Sequence, residues 1–531
     1  MQPLEQRDYF SDHAILKDPY EFYEAVRAHG PIWQPPNRDY VIVTGFQESL
    51  EVLNNHQDFS ACIGLAGPAA PLPFEPHGSD ISAQLDENRS KILGGDLLVN
   101  LDDTPHTNMR ALVNRLFTPS RLKANEEFIA QLSDEMVRRV VANGGCELIK
   151  EISTPFVTLV IADLLGVPAE DRQLFMDTIE AAPPPGSLDA SENDYTGENH
   201  PMVLMAGYFV RYIMERKESP REDILTELAN AEYPDGSKPQ LQDIAALSVF
   251  MFGAGQDTSA KLLGNSMRYL VDVPGVQDKL RADPKLIPAF IEEVLRLEGS
   301  TKQTARLARR DTRIGDTPIK AGTKVLVGLA AGNRDPRRWD NPEVFELNRP
   351  RIKEHIAFGR GKHVCAGAPL ARVEVRVILE KFLELTSHID LDESRHGPRG
   401  SRELDFEPSF IIRGLADLRV KLTPATGFVA QAAQSAPSIL EQAAAAKASG
   451  ADVQDGGNGR FSVASSTIGD LLADPTASAV LDKHFPGIAA DPRIAMAKGM
   501  TLRTVQAFAR EQFTDAALEQ VEADLASLPA R

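Results

Sequence analysis

The ten residues FGRGKHVCAG, 358–367, restrict this chain more than any other stretch of it. Three glycines and one of only three cysteines fall in a segment too irregular for helix or strand. It is not a phosphate-binding loop, because Lys362 is followed by His363 rather than by serine or threonine. Nor is it a dinucleotide fingerprint: Val364 stands where glycine is needed, and no strand-then-helix frame surrounds it. The ordinary fate of a free cysteine is burial as a small apolar residue. Two features oppose that reading. Leu370, Val373, Val377 and Phe382 share one helical face, with Pro369 suited to a first turn. Cys365 then lies at a helix N-terminus, where unpaired N–H groups and the dipole favour an anion and are expected to lower the thiol pKa. Gly359, Gly361 and Gly367 also remove Cβ atoms where backbone must approach something closely. A flat, bulky ligand bonded to the sulfur needs that clearance.

A second stretch, FMFGAGQDTSAKLLGNSMRYL at 250–270, lies between Pro239 and Pro274 with no breaker except glycine. The gap predicts a long helix of roughly 45 Å at ~1.5 Å per residue. Gly253 and Gly255 each cost it about 1 kcal/mol against alanine, and Asp257 and Thr258 are polar in apolar company. A threonine hydroxyl there bonds back to an i−4 carbonyl and bends the helix. Such a local conflict marks a site. Elsewhere, Glu293 and Arg296 form an i,i+3 pair on one helix face. His106 and Arg110 form an i,i+4 pair on a helix that the sequence starts with Thr104 as cap and Pro105 at its first position.

Together these stretches resemble the cytochrome P450 family. FGRGKHVCAG has all six fixed positions of that family's haem-binding signature, Phe-Gly-x-Gly-x-His-x-Cys-x-Gly. Ala254-Gly255-Gln256-Asp257-Thr258 is similar to its oxygen-groove motif, and Glu293-x-x-Arg296 to its Glu-x-x-Arg pair. The resemblance spans residues 12–422. It implies a mainly α fold with small β-sheets and a haem b held by the Cys365 thiolate as axial iron ligand. Phe358, Gly359, His363, Ala366 and Gly367 shape the loop around the haem, and Ala254 and Gly255 line a groove for O2. Asp257 and Thr258 deliver protons. His106, Arg110, Arg306 and His363 hold the propionates, for which arginine forks are well suited. Arg349 completes a structural trio with Glu293 and Arg296. The implied activity is a monooxygenase inserting one atom of O2 into a C–H bond. A peroxide-driven peroxygenase and a non-catalytic haem sensor or carrier are the alternatives, and neither needs the Asp257–Thr258 pair.

In the family an apolar, proline-containing segment usually follows the Glu-x-x-Arg helix; here it is LEGSTKQTA. Thr301, Gln303 and Thr304 are therefore candidates for the substrate pocket, recognising an oxygenated part of a substrate, and Lys302 alternatively points to solvent. Phe250 and Phe252 make the pocket otherwise apolar, fitting a terpenoid, steroid or aromatic compound.

Composition limits the partners. The chain has 57 basic and 76 acidic residues, a formal charge of −19, which disfavours nucleic acid and anionic membrane. Three scattered cysteines cannot hold an iron–sulfur cluster, and they fit the reducing cytoplasm. No apolar run is long enough for a membrane span and no flavin is expected, so electrons come from a separate ferredoxin and reductase. Arg110, Arg115, Arg360, Lys362, Arg372 and Arg376 form the expected basic face for an acidic ferredoxin. Strands are expected within 39–46 and 322–333, and long loops at 64–80 and 181–202. Three parts are read along the chain: a haem domain, 1–424; an Ala/Gly/Ser-rich linker, 425–466; and a small all-α appendage, 467–531, of about four short helices with Thr514 capping the last.

Overall fold

The computed structural model describes residues 3–180, 201–430, 439, 461–463, 466–488, 501–506 and 513–528. Of the expected loop at 181–202, residues 181–200 lie outside the described residues, as does most of the linker, while Pro201 and Met202 begin the Pro201–Glu218 helix. The rest is mainly helical, with a five-stranded, a three-stranded and a two-stranded sheet. The long expected helix is present as Leu241–Asp272, 32 residues or about 48 Å. Its start is set by a capping box, in which Gln240 and Asp243 satisfy each other's backbone N–H groups. This central helix packs on the Thr154–Leu165 helix, on Ile287–Glu298 and on the cysteine helix, Ala368–Leu385. Leu370, Val377 and Phe382 of the cysteine helix enter the main core, while Val373 is only partly buried.

The five-stranded sheet runs Ile32–Trp33, Tyr40–Val43, Lys324–Val327, Thr304–Ala308, Phe59–Ser60. Tyr40–Val43 and Lys324–Val327 pair in parallel and are buried throughout, as their unbroken apolar runs require. Only the first half of the 322–333 stretch is strand; Leu329–Gly332 turns helical. The helix bearing His106 begins two residues earlier than expected. It spans Asp103–Leu116 with Asp102 at the cap, so Thr104 and Pro105 lie inside its first turn. Asp102 cannot cap through its own side chain: its carboxylate is taken by the Ser60 hydroxyl, the Ala61 N–H and Arg89.

The Cys365 loop is held from below by a buried ionic trio. Glu293 receives two bonds from Arg296 (2.8 and 2.9 Å) and two from Arg349 (2.9 and 3.2 Å), plus the Glu346 N–H at 3.0 Å. The guanidinium groups spend their remaining donors on the carbonyls of Asn333, Pro342, Asp340 and Val344. Every charge is paired and every donor has an acceptor, the condition under which buried ions are tolerated. Next to the trio, Asn333 accepts Arg296 on its carbonyl and fixes the Ile356 N–H with its side chain, at the entry to the loop.

Residues 461–528, where described, have an apolar cluster of their own. Ile468, Leu471, Leu481, Leu502, Leu518, Val521 and Leu525 are fully buried in it. Four short helices contribute, and Thr514 caps the last, its hydroxyl accepting from the Ala517 N–H at 3.2 Å.

The trio yields a stability prediction. Glu293→Gln keeps the shape but strands two buried guanidinium groups. It should cost about 3–5 kcal/mol, read as a large drop in the thermal melting midpoint of the purified protein.

Candidate active site

The cysteine loop closes on itself. The Cys365 N–H bonds the Phe358 carbonyl at 2.9 Å, with Gly359 and Gly361 both left-handed (φ +69° and +72°) in the turn between. The two glycines serve different ends. A Cβ on Gly361 would stand 2.3 Å from the Leu53 carbonyl, so this one lets the loop lie on neighbouring backbone. A Cβ on Gly359 or Gly367 would meet no foreign atom closer than 3.9 Å; these two leave clearance beside the sulfur.

Cys365 is exposed, yet burial by its surroundings is the largest influence on its thiol and pushes the pKa up. A group that solvent reaches but that is still desolvated lies on the wall of a narrow internal cleft. The helix N-terminus acts as expected: the Gly367 and Ala368 N–H groups and the charges of Arg110 and Arg372 favour thiolate. They do not outweigh burial, so the expected net lowering is not found in the bare protein. Ligation to a metal cation deprotonates a thiol outright. In the central helix Ala254 is exposed, and Phe250, Gly253, Asp257 and Thr258 around it are only partly buried, so this face also borders a gap. Gly255 looks elsewhere: a Cβ there would touch Ile161 at 3.4 Å, so this glycine serves close helix packing and not the cleft.

Four donors gather beside the cysteine without an anion. His106 is 3% exposed, its Nε2 has no partner, and its ring lies 4.1 Å from that of His363. Burial, reinforced by Arg110, lowers the His106 pKa to about 4. Burial and the charges of Arg306 and Arg110 likewise hold His363 neutral. Arg306 is 5% exposed, donates to Thr304 Oγ1 at 3.1 Å and the Ala305 carbonyl at 2.7 Å, and makes no ion pair among the described residues. Burial lowers its pKa to about 10. Two cations and two neutral imidazoles converging in a buried place are costly unless an anion with several acceptor oxygens joins them. A thiol on a cleft wall, clearance beside it and a carboxylate-seeking cluster fit a haem and its propionates.

On the central helix, Thr258 Oγ1 donates back to the Ala254 carbonyl at 2.8 Å, the predicted i−4 bond. The Ser300 hydroxyl ties the following segment to the Thr258 carbonyl at 2.6 Å. Burial raises the Asp257 pKa, and Oδ2 has no partner. Oδ1 lies 3.6 Å from Lys261, whose ammonium also bonds Glu407. Neither Lys261 nor Glu407 was singled out from sequence, although the i+4 spacing of Asp257 and Lys261 was a legible signal.

Other expectations need correction. Phe252 is fully buried, edge-on to Phe175 (5.0 Å) and beside Phe209 (6.4 Å), so it belongs to the core and not to a pocket; Phe250 is partly buried. Lys302 does not reach solvent. It is fully buried and donates to the carbonyls of Leu16 (2.6 Å) and Ser409 (2.5 Å). Burial holds its pKa well below the usual value. Gln303 is 2% exposed with neither amide atom bonded, while Thr301 and Thr304 are partly exposed. On the cysteine side, Glu292 takes Arg372 (2.5 and 3.0 Å) and His355 (3.0 Å), and Arg376 is shared by Glu126 and Glu380. Those pairs neutralise two of the six expected docking cations, and Arg110 faces the histidine cluster.

Comparison with known proteins gives the family. The Cytochrome P450 family model matches residues 198–395. The biotin biosynthesis cytochrome P450 of Bacillus subtilis is 30% identical over 408 residues, 76% of this chain and 96% of that protein. The substrate-free Mycobacterium marinum cytochrome P450 CYP150A6 superposes with a TM-score of 0.74 at 43% identity, covering 80% of this chain and all of that one. CYP109E1 from Bacillus megaterium in complex with corticosterone gives 0.65 at 27% identity, covering 77% and 99%. This chain belongs to the cytochrome P450 family and is a haem-binding monooxygenase.

Proposed function

We propose that the chain hydroxylates a small to medium apolar substrate, of terpenoid, steroid or aromatic type, with electrons from a separate acidic ferredoxin. The observation that carries this is the pairing of the cleft-facing Cys365 thiol with the anion-seeking cluster of His106, Arg110, Arg306 and His363. When bound, haem supplies activation of O2 and attack on the C–H bond. Cys365 would hold the iron as thiolate, helped by the Gly367 and Ala368 N–H groups. Arg110 and Arg306 ion-pair with the propionates while His106 and His363 donate to them. Ala254, exposed on the central helix, would leave room for O2 beside the haem. Asp257 takes protons from the solvent side and passes them to the Thr258 hydroxyl, which hands them into the cleft. Phe250, Thr301 and Thr304 contribute to the substrate side. CYP109E1 with corticosterone in place supports an apolar, steroid-sized guest as the substrate class. Cytoplasmic working conditions suit a chain with three cysteines, and among the described residues no helix is long and apolar enough to cross a membrane. The apolar cluster of the described residues in 461–528 supports reading 467–531 as a helical unit of its own after the 425–466 linker.

The docking face is smaller than the six-cation patch read from sequence. Arg115 and Lys362 are exposed and without ion pairs among the described residues, and Arg360 stands beside Lys362 on the loop. These three remain to steer an acidic ferredoxin.

Three outcomes follow. Thr258→Ala should retain the haem spectrum but send most electrons to hydrogen peroxide in a ferredoxin-supported assay; tight coupling in this variant overturns the relay. Arg306→Met should raise the melting midpoint of haem-free protein, since a buried unpaired cation is removed. It should also weaken haem retention by roughly 10- to 100-fold, the ~1.5–3 kcal/mol of a charged hydrogen bond, measured by haem transfer to an acceptor protein. Lys362→Glu should slow reduction by ferredoxin several-fold at low salt, with the difference closing as ionic strength rises. An unchanged rate removes the docking face.

A further inference from the structure

Lys261 has no role in the proposed function, yet the fold is shaped around it. It sits one helical turn after Asp257 and is 7% exposed. Its aliphatic stem lies against Gly414: a Cβ there would be 2.0 Å from Lys261 Cδ. Gly414 belongs to a turn closed by the Glu407 N–H to Gly414 carbonyl bond (3.0 Å), and the same turn delivers Glu407 to the ammonium. One cation is thus flanked by two carboxylates, one from its own helix and one from the turn packed on it. Each carboxylate keeps a buried oxygen with no partner, Oδ2 of Asp257 and Oε2 of Glu407. The ammonium hydrogen-bonds Glu407, while Asp257 Oδ1 stands 3.6 Å away, in ion-pair contact only. Among the described residues no further charged side chain enters this balance. Glu374 of the cysteine helix faces the helix at Ser259 and does not figure among the influences on Asp257.

We propose that Lys261 and Glu407 are positioning residues that set the release of Asp257 for proton delivery, two carboxylates competing for one ammonium. This rests on the reading that Asp257 and Thr258 pass protons. While Lys261 is engaged by Glu407, Asp257 is weakly held, takes one proton from solvent and gives one proton toward Thr258. When Lys261 moves to Asp257, the acid is locked as carboxylate. Burial raises the pKa of both acids, and the two neighbours together raise that of Lys261, so the ammonium stays charged in either arrangement.

The two sides of the competition have opposite signs, which a merely structural role does not. Infrared titration of the ferric holoenzyme reads the protonated Asp257 carboxyl, identified as the band lost in Asp257→Asn. Lys261→Met should raise its midpoint and Glu407→Gln should lower it, each by about one to three pH units. In ferredoxin-supported turnover, Glu407→Gln should increase both the peroxide share and the solvent isotope effect. Lys261→Met should lower the isotope effect without raising the peroxide share. Shifts of the same sign, or unmoved midpoints, overturn the proposal. If Lys261→Met does not retain haem, the isosteric Glu407→Gln decides alone: an unshifted midpoint overturns the proposal. Should Asp257→Asn and Thr258→Ala uncouple turnover while both latch variants behave as wild type, the latch falls and the relay stands. Tight coupling in Asp257→Asn and Thr258→Ala removes the relay itself.

Discussion

A sulfur must be presented to a metal from a backbone that can neither wander nor crowd the ligand, and most of the chain is arranged to meet that demand. The Cys365 N–H is tied to the Phe358 carbonyl across two left-handed glycines, and the helix that follows aims its first N–H groups at the sulfur. Beneath the loop, Glu293, Arg296 and Arg349 join a helix to a long stretch of irregular chain. Irregular backbone cannot satisfy its own carbonyls, and the two guanidinium groups do so in its place. Glu292 then binds Arg372 and His355, so two adjacent glutamates on one helix hold the cysteine helix and the approach to the loop.

The site depends on charges left deliberately unbalanced. Arg306 is buried without an ion pair among the described residues, the nearby Asp102 carboxylate being committed to Ser60, Ala61 and Arg89, and His106 and His363 are kept neutral beside it. A protein interior tolerates such a cluster only when a ligand completes it, so part of the free energy of haem binding is the relief of this desolvated charge. At the central helix the imbalance has the other sign, with Asp257 and Glu407 sharing Lys261. In the proposed function the cations would face the cofactor's carboxylates, and an excess of carboxylate would stand where protons enter.

The likeness to the structure of CYP150A6 covers 80% of the chain, and the described residues of 461–528 pack around an apolar cluster of their own. Those helices therefore do not rely on the haem domain for a core.

Sequence alone determined the parts whose signal is local. FGRGKHVCAG carries its chemistry in ten consecutive positions, the 241–272 helix is bounded by prolines and written in its periodicity, and Glu293–Arg296 is one helical turn. Thr258 bonding to the Ala254 carbonyl is likewise a property of one segment. Tertiary structure decided whatever depends on which neighbour arrives. Phe252 reads as pocket until Phe175 and Phe209 enclose it, and Lys302 reads as solvent-facing until two carbonyls from distant segments take its ammonium. Arg372 and Arg376 read as free cations until Glu292, Glu126 and Glu380 neutralise them. The pKa of Cys365 turns on the same point: the helix N-terminus is visible in one dimension, but the burial that outweighs it is a sum over the whole fold. Electrostatics and burial are set by distance in space, and Glu407 stands 146 residues along the chain from the lysine it binds.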